Sequence, residues 1–334
     1  RTDTRQPISP VLCGDDHIIN VQPVLWYDWP FIIRHRRQFR SLDNILSLTR
    51  GAPLDLTHLI SSFGPSDHLF TGVYEPGENS DKVIGQVYQS AHMSSAHLDY
   101  LLLTEDADPS EIIPLLEGLI TQVGLWGGKQ VVADLSIESD LFTQFRQSGF
   151  SVVAKQCIYR LDASFHVQKR ASGGWRSWSQ KDLPAMHRLY QNVVPPLIQP
   201  VEPLSRQEMV GLVYYEENGS LKAYTDLVYG PKGVWVLPIF HPQTEADLAE
   251  LLAQMVSALP ELNGRPVYLA ARSYLPWVEQ AINQLPTEPG PEQAILVRYL
   301  ALYQRVEADL GYTSIENGKP EPTVPLAPFS HHSE

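Results

Sequence analysis

An α+β fold, a mostly antiparallel sheet with flanking helices built twice in one chain, is what the 334 residues predict. Three observations carry this. The predicted elements in each half run as strand and helices, then three strands, then helix, strand, helix and strand, which is not the regular alternation of a doubly wound sheet. The same order returns at a near-constant offset: Leu101 matches Val236 at 135 residues, Val131 matches Val267 at 136, and Gln156-Cys157-Ile158 matches Gln293-Ala294-Ile295 at 137. The glycine signatures of dinucleotide-binding and P-loop folds are both absent.

The elements follow from local pattern. Residues 1–23 are polar and proline-containing and read as an extension. Helical stretches are expected near Trp29–Arg40 and Leu42–Thr49. Short β-rich runs at Leu69–Tyr74 and Val83–Tyr88 predict strands, with the Glu75-Pro76-Gly77 turn signal after the first. His97–Thr104 ends in a continuous apolar run and should be a central strand. Over 110–126, Ile112, Leu115, Leu116, Leu119, Ile120 and Val123 recur at spacings of 3 and 4, one helical stripe that Gly127-Gly128 stops. A strand at 130–135, a short helix at 140–147 and a strand at 152–161 complete the first half. Residues 163–173 read as a linker. The second half repeats the order: strand 175–178, helix 181–191, a Pro-rich loop at 193–204, and strands at 211–215, 220–229 and 234–240. A helix on the stripe Leu248 to Leu259, strand 266–271, helix 274–285 and strand 294–302 follow. The domains predicted are thus 24–162 and 174–303, with a polar tail over 304–334.

Composition argues against several functions. There are 25 Lys+Arg against 38 Asp+Glu, a net charge of -13, which argues against a nucleic-acid partner and against a peripheral protein of anionic membranes. The longest apolar runs, such as Val234 to Phe240, are far short of the roughly 20 residues of a spanning helix. Two cysteines, Cys13 and Cys157, rule out a disulfide scaffold and a cysteine zinc site, and read as reduced thiols of a cytoplasmic protein. His92 and His97 lack a third ligand, as do His331-His332. Arg34-His35-Arg36-Arg37 reads as a solvated helix face, and Trp26, Tyr27, Trp29 and Phe31 as core or domain packing.

The segments HLDYLLLT (97–104), VVADL (131–135) and LFTQFRQSGF (141–150), matched by GVWVLPIF (233–240), ADLAELLAQMV (246–256), PVYLAA (266–271) and YLPWVEQAINQL (274–285), resemble the GNAT fold of the N-acetyltransferase superfamily, present in tandem. The resemblance implies an acetyl-CoA or other acyl-CoA cofactor bound where the central strand parts from its neighbour. It also implies acetyl transfer to an amine, here a small cationic one that the acidic surface would steer. On that reading the backbone of Leu102, Leu103 and Thr104, or of Leu237 and Ile239, would hold the cofactor, and Asp99, Tyr100 or Tyr229 would act as base. Asp99 and Tyr100 alternate on the strand, so at most one faces a pocket.

The sequence departs from the family where the chemistry is densest. The family's glycine-rich pyrophosphate loop is replaced by Thr104–Glu111, with four carboxylates, and by His241–Asp247, neither containing glycine. Acids there stabilise a helix start and repel a pyrophosphate; Asp108 or Ser110, and Thr244, read as N-caps. The family's thiolate-protonating tyrosine falls on Phe145 in the first half and within Ala281–Leu285, which has no tyrosine, in the second. Two expectations stand side by side: an acyltransferase, and a catalytically degenerate tandem GNAT that binds or scaffolds, with the Pro-rich loop or the tail as protein contacts.

Overall fold

Each half centres on one pair of parallel strands that begin together and then part. The computed structural model describes residues 21–51, 67–77, 81–91, 93–161, 174–204 and 210–300, all within one compact unit. The first half runs β1 (Val21–Pro23), a 3-10 turn (Trp26–Asp28), α1 (Trp29–Arg34), β2 (Phe39–Ser41) and α2 (Asn44–Arg50). It continues with β3 (His68–Tyr74), β4 (Val83–Gln89), β5 (Ser95–Leu102), α3 (Ile112–Leu125), β6 (Gln130–Ser136), α4 (Phe142–Gln147) and β7 (Ser151–Leu161). The second half runs β8 (Trp175–Ser177), α5 (Leu183–Val193), β9 (Leu212–Tyr215), β10 (Leu221–Tyr229), β11 (Val234–Phe240), α6 (Leu248–Ala258), β12 (Val267–Arg272), α7 (Pro276–Ile282), β13 (Glu288–Pro289) and β14 (Gln293–Tyr299).

One sheet joins both halves in the order β1-β3-β4-β5-β6-β14-β7-β12-β11-β10-β9-β8. The pairs are antiparallel except β5–β6 and β11–β12. The halves trade their last strands. β14, the end of the second half, pairs along its whole length with β6, while β7, the end of the first, pairs with β12. β7 and β14 meet each other antiparallel, and Gln156 faces Gln293. These are the two residues that the repeat equates, so the pseudo-twofold axis runs between them. The predicted boundary near 162 follows the chain, whereas the sheet crosses it.

Gly149 shows what the exchange asks of local sequence. It ends α4 with φ +75, and a Cβ there would sit 1.4 Å from Arg298 Nη1 of the incoming strand. Arg298 donates to the Ser148 carbonyl at 3.0 Å. Glycine alone offers both the left-handed turn and the room.

The core forms two large clusters. The stripe read from the sequence, Ile112, Leu115, Leu116, Leu119, Ile120 and Val123, is buried against Val83, Val87, Leu98 and Leu101. In the second half Leu251, Leu252, Met255 and Val256 of α6 pack on Val234, Val236 and Phe240. Both halves enter their first helix alike. A 3-10 turn leads to Asp28-Trp29-Pro30 in one and Asp182-Leu183-Pro184 in the other, and each aspartate is buried beside a cation. Asp28 meets Lys82 at 2.7 Å, and Asp182 meets Arg176 at 2.7 Å and accepts from Tyr215 at 2.8 Å. Arg176 holds the Asp182 carboxyl well below the usual carboxylate range.

Three sequence expectations are corrected here. The helix expected to run on to Arg40 stops at Arg34, and Phe39–Ser41 is a strand whose ladder partner lies sixty residues away. Trp26, Tyr27 and Trp29 are exposed and do not enter the core, because the turn and α1 lie at the molecular edge with Ile32 alone of the helix buried. Thr244 does not cap α6; Asp247 does, accepting from the Ala249 N–H at 2.9 Å, while Thr244 donates to the His241 carbonyl.

Candidate functional site: two parted strand pairs

In the first half, β5 and β6 pair only from Ser95–His97 with Gln130–Val132, and then diverge. Beyond that point the free edge of β5 would be the place for an extended ligand, held by main-chain hydrogen bonds. The chain's own backbone lies there. Phe39, Arg40 and Ser41 pair antiparallel with Leu102, Leu101 and Tyr100. The Leu42 N–H then donates to the Asp99 carbonyl at 2.8 Å, and the Asp134 N–H donates to the Leu42 carbonyl at 2.7 Å. Leu42 thus bridges β5 to β6, and its side chain is fully buried among Leu98, Leu101 and Leu135. An exposed ion pair from Arg40 to Asp140 ties the inserted segment to the rim.

The second half repeats the divergence: β11 and β12 pair from Val234–Val236 with Val267–Leu269, then part. Among the described residues no strand fills this gap. The Val234 N–H donates toward β12 and the His241 N–H toward β10. Ladder alternation therefore aims the N–H groups of Leu237 and Ile239 at β10, where they face Asp226 and Tyr224. The gap-facing position between them is Pro238, which has no N–H. At Phe240 the gap-facing carbonyl accepts from the Trp277 indole of α7 at 3.1 Å. Leu237, Ile239, Tyr224, Asp226, Tyr274 and Glu202 line a partly open pocket of about 20 Å³, room for one water molecule.

The predicted site residues take the following places. Tyr100 is buried with its ring edge-on to Phe39 at 4.9 Å, and burial pushes its phenol far above the ordinary range. Asp99 is fully buried on β5, and its carbonyl is the acceptor of Leu42. Leu102 and Leu103 are core residues, and the Thr104 hydroxyl donates to Asp81 at 2.6 Å. Leu237 and Ile239 are buried beside the small cavity. Tyr229 lies at the far hairpin end of β10, opposite Val234, away from the gap, under the Arg265 guanidinium. Phe145 is fully buried against Phe150 at 5.1 Å. At the expected pyrophosphate positions Asp108 caps its own turn, accepting from the Ser110 N–H at 2.8 Å. His92, Cys13, His331 and His332 lie outside the described residues. Among the described residues no cluster of three side chains could hold a metal, and no helix is long and apolar enough to cross a membrane.

A partly buried polar chain links the two gaps across the pseudo-axis. The Asn44 amide donates to Asp134 Oδ2 at 2.8 Å and to Gln293 Oε1 at 2.6 Å. The Gln156 amide donates to Gln293 Oε1 at 3.2 Å, and Arg272 donates to Gln156 Oε1. The Arg272 guanidinium is in turn held by Glu202 of the Pro-rich loop, which also accepts from the Tyr274 hydroxyl at 3.1 Å. Burial, and the nearby Asp43 carboxylate, push Asp134 up to about 6. Sequence reading missed these residues as a site. The signal was present in two places: the glutamines equated by the repeat, and single polar residues in otherwise apolar strands, Asp134 in VVADL and Arg272 ending VYLAAR.

The Pro-rich loop is thereby an internal strut. The Pro200 carbonyl accepts from Gln130 at 2.7 Å and from Ser95 at 3.2 Å, on the first half. In return α2 reaches the second half, where the Lys232 N–H donates to the Thr49 carbonyl at 2.8 Å.

One solved structure gives the fold its class, and others resemble it more loosely. A GCN5-related N-acetyltransferase from Sphaerobacter thermophilus superposes with a TM-score of 0.51 at 10% identity, over 84% of this chain and 95% of that one. A tandem GNAT protein of the clavulanic acid biosynthesis pathway gives 0.45 at 14%, over 77% and 93%. A GNAT-family acetyltransferase from Colwellia psychrerythraea gives 0.42 at 11%, over 84% and 100%. No protein-family model and no curated protein matches the sequence. The protein has the fold of the Sphaerobacter thermophilus N-acetyltransferase, the GNAT fold, and its own two halves repeat one order of elements.

Proposed function

We propose that this tandem GNAT-fold protein is a binding or structural module whose two cofactor gaps are closed by its own residues, and that it does not transfer acyl groups. The observation that carries the reading is the strand Phe39–Ser41, with Leu42, in the β5–β6 gap. It uses the main-chain groups on which an acyl-CoA arm would depend. The second gap lacks a donor at Pro238 and holds the Trp277 indole. The first half therefore has no main-chain groups free for acyl-CoA, and the second offers only the Phe240 N–H beyond Pro238, beside the Trp277 indole. The self-capped turn at Asp108 and the buried phenyl ring of Phe145 support the same reading.

Acyl transfer to a small cationic amine is the competing reading, and the fold favours it. It requires Trp277 and the Glu202 strut to leave the second gap, since the first is closed by backbone. Calorimetric titration with acetyl-CoA at low and moderate salt separates the two. No heat at millimolar ligand is expected. Micromolar binding, about −8 kcal/mol, would overturn the proposal.

A further inference from the structure

Five of the eleven exposed large hydrophobic side chains among the described residues fall within nine positions: Leu25, Trp26, Tyr27, Trp29 and Ile33. Trp26 is 82% exposed, so its ring stands clear of the protein surface. Trp26, Trp29 and Ile33 follow at spacings of 3 and 4 along the 3-10 turn and α1, which places them along one face. Arg34, Arg36 and Arg37 follow immediately and are exposed. No described carboxylate forms an ion pair with any of the three. Residues 21–42 hold four arginines, of which Arg40 is paired with Asp140, and one acid, Asp28, which is buried against Lys82. In a chain of net charge -13 this is a local reversal of sign. Exposed charges further apart than about 8 Å are screened from one another at physiological salt, so the patch acts on its own.

We infer that this segment docks the protein on an anionic lipid surface, a local exception to what the net charge of the whole chain argues. Indole and phenol rings with an apolar body and a polar tip settle at the headgroup level, and flanking arginines pair with lipid phosphates. A second copy of the chain does not suit the patch, because a twofold contact would set the arginines of one copy against those of the other. A fluid surface suits a ring that stands clear better than a rigid partner, which would need a pocket shaped for it. The acidic remainder of the molecule is repelled by the same surface. The contact is therefore confined to one edge and the orientation is fixed.

The test is co-sedimentation of the full chain with vesicles of phosphatidylserine and phosphatidylcholine, against vesicles of phosphatidylcholine alone, at low and high salt. Three proteins are compared: the natural one, the triple variant R34E/R36E/R37E, and the double variant W26S/W29S. All five positions are exposed, so unchanged circular dichroism and melting are expected. Binding should occur on the anionic vesicles only, fall with salt, and drop roughly a hundredfold in the triple variant. The double variant should lose the binding that survives at high salt. No sedimentation with anionic vesicles at low salt overturns the inference and leaves an acidic protein partner as the reading of the patch. Binding unchanged in both variants overturns it equally.

Discussion

The two halves part their central strands at the same place and close the opening by different means. In the first half the stopper is main chain: Phe39–Leu42 lies in the gap and joins β5 to β6 by hydrogen bonds. In the second it is side chains, Trp277 on the Phe240 carbonyl and Glu202 beside Arg272 and Tyr274. A backbone stopper depends little on which side chains the segment carries. A side-chain stopper can be removed piece by piece by substitution. The second gap is therefore where the closure is most easily tested, and the first is where it is hardest to undo.

The largest effect is expected at the second stopper. Glu202→Ala leaves the fully buried Arg272 without its carboxylate partner, and should cost about 3–5 kcal/mol in urea unfolding. Glu202→Gln, which keeps an acceptor oxygen, should cost less. A cost below about 1 kcal/mol would mean that Arg272 is not held by the loop. Leu42→Ala probes the first stopper. It removes a buried side chain and should cost about 2–5 kcal/mol, while the β2 hydrogen bonds stay. Acetyl-CoA binding should not appear in this variant, and binding gained there would show that the side chain, not the backbone, closes the gap.

The polar chain between the gaps predicts a pH dependence. Asp134 titrates near 6 in the folded protein, above its ordinary value of 3.8. Between these values the folded state keeps a proton that the unfolded state has released. Stability is therefore full below about pH 4 and falls as pH rises through about 6, by about 2–3 kcal/mol for this group. Asp134→Asn keeps an acceptor for Asn44 and should flatten the slope between pH 4 and 6, as read from urea midpoints at several pH values. An unchanged slope would remove Asp134 as its source. The smallest effect is Trp277→Phe, which loses one hydrogen bond and should cost about 1 kcal/mol. It should gain no acetyl-CoA affinity, because Pro238 still has no N–H to offer.

Most elements were legible because they are long and periodic. The α3 stripe, the apolar run of β5 and the 137-residue echo of Gln156-Cys157-Ile158 in Gln293-Ala294-Ile295 all have their counterparts in the structure. The stopper was not legible. Phe39-Arg40-Ser41 is too short to show a period of two, and its ladder partner is distant in sequence. The strand exchange was hidden for a different reason: β7 and β14 present the same local pattern whichever neighbour they join. The sequence did show that glycine and tyrosine are missing where the resemblance expects them. It could not show what occupies the space they leave.

Amide hydrogen exchange over β2 and β5, with and without saturating acetyl-CoA, tests the closed first gap most directly. The Leu42 and Leu101 amides should be protected as strongly as the rest of β5, and the ligand should leave them unchanged. Rapid exchange across 39–42 beside a protected β5, or exchange in that segment that changes when acetyl-CoA is added, would contradict the account.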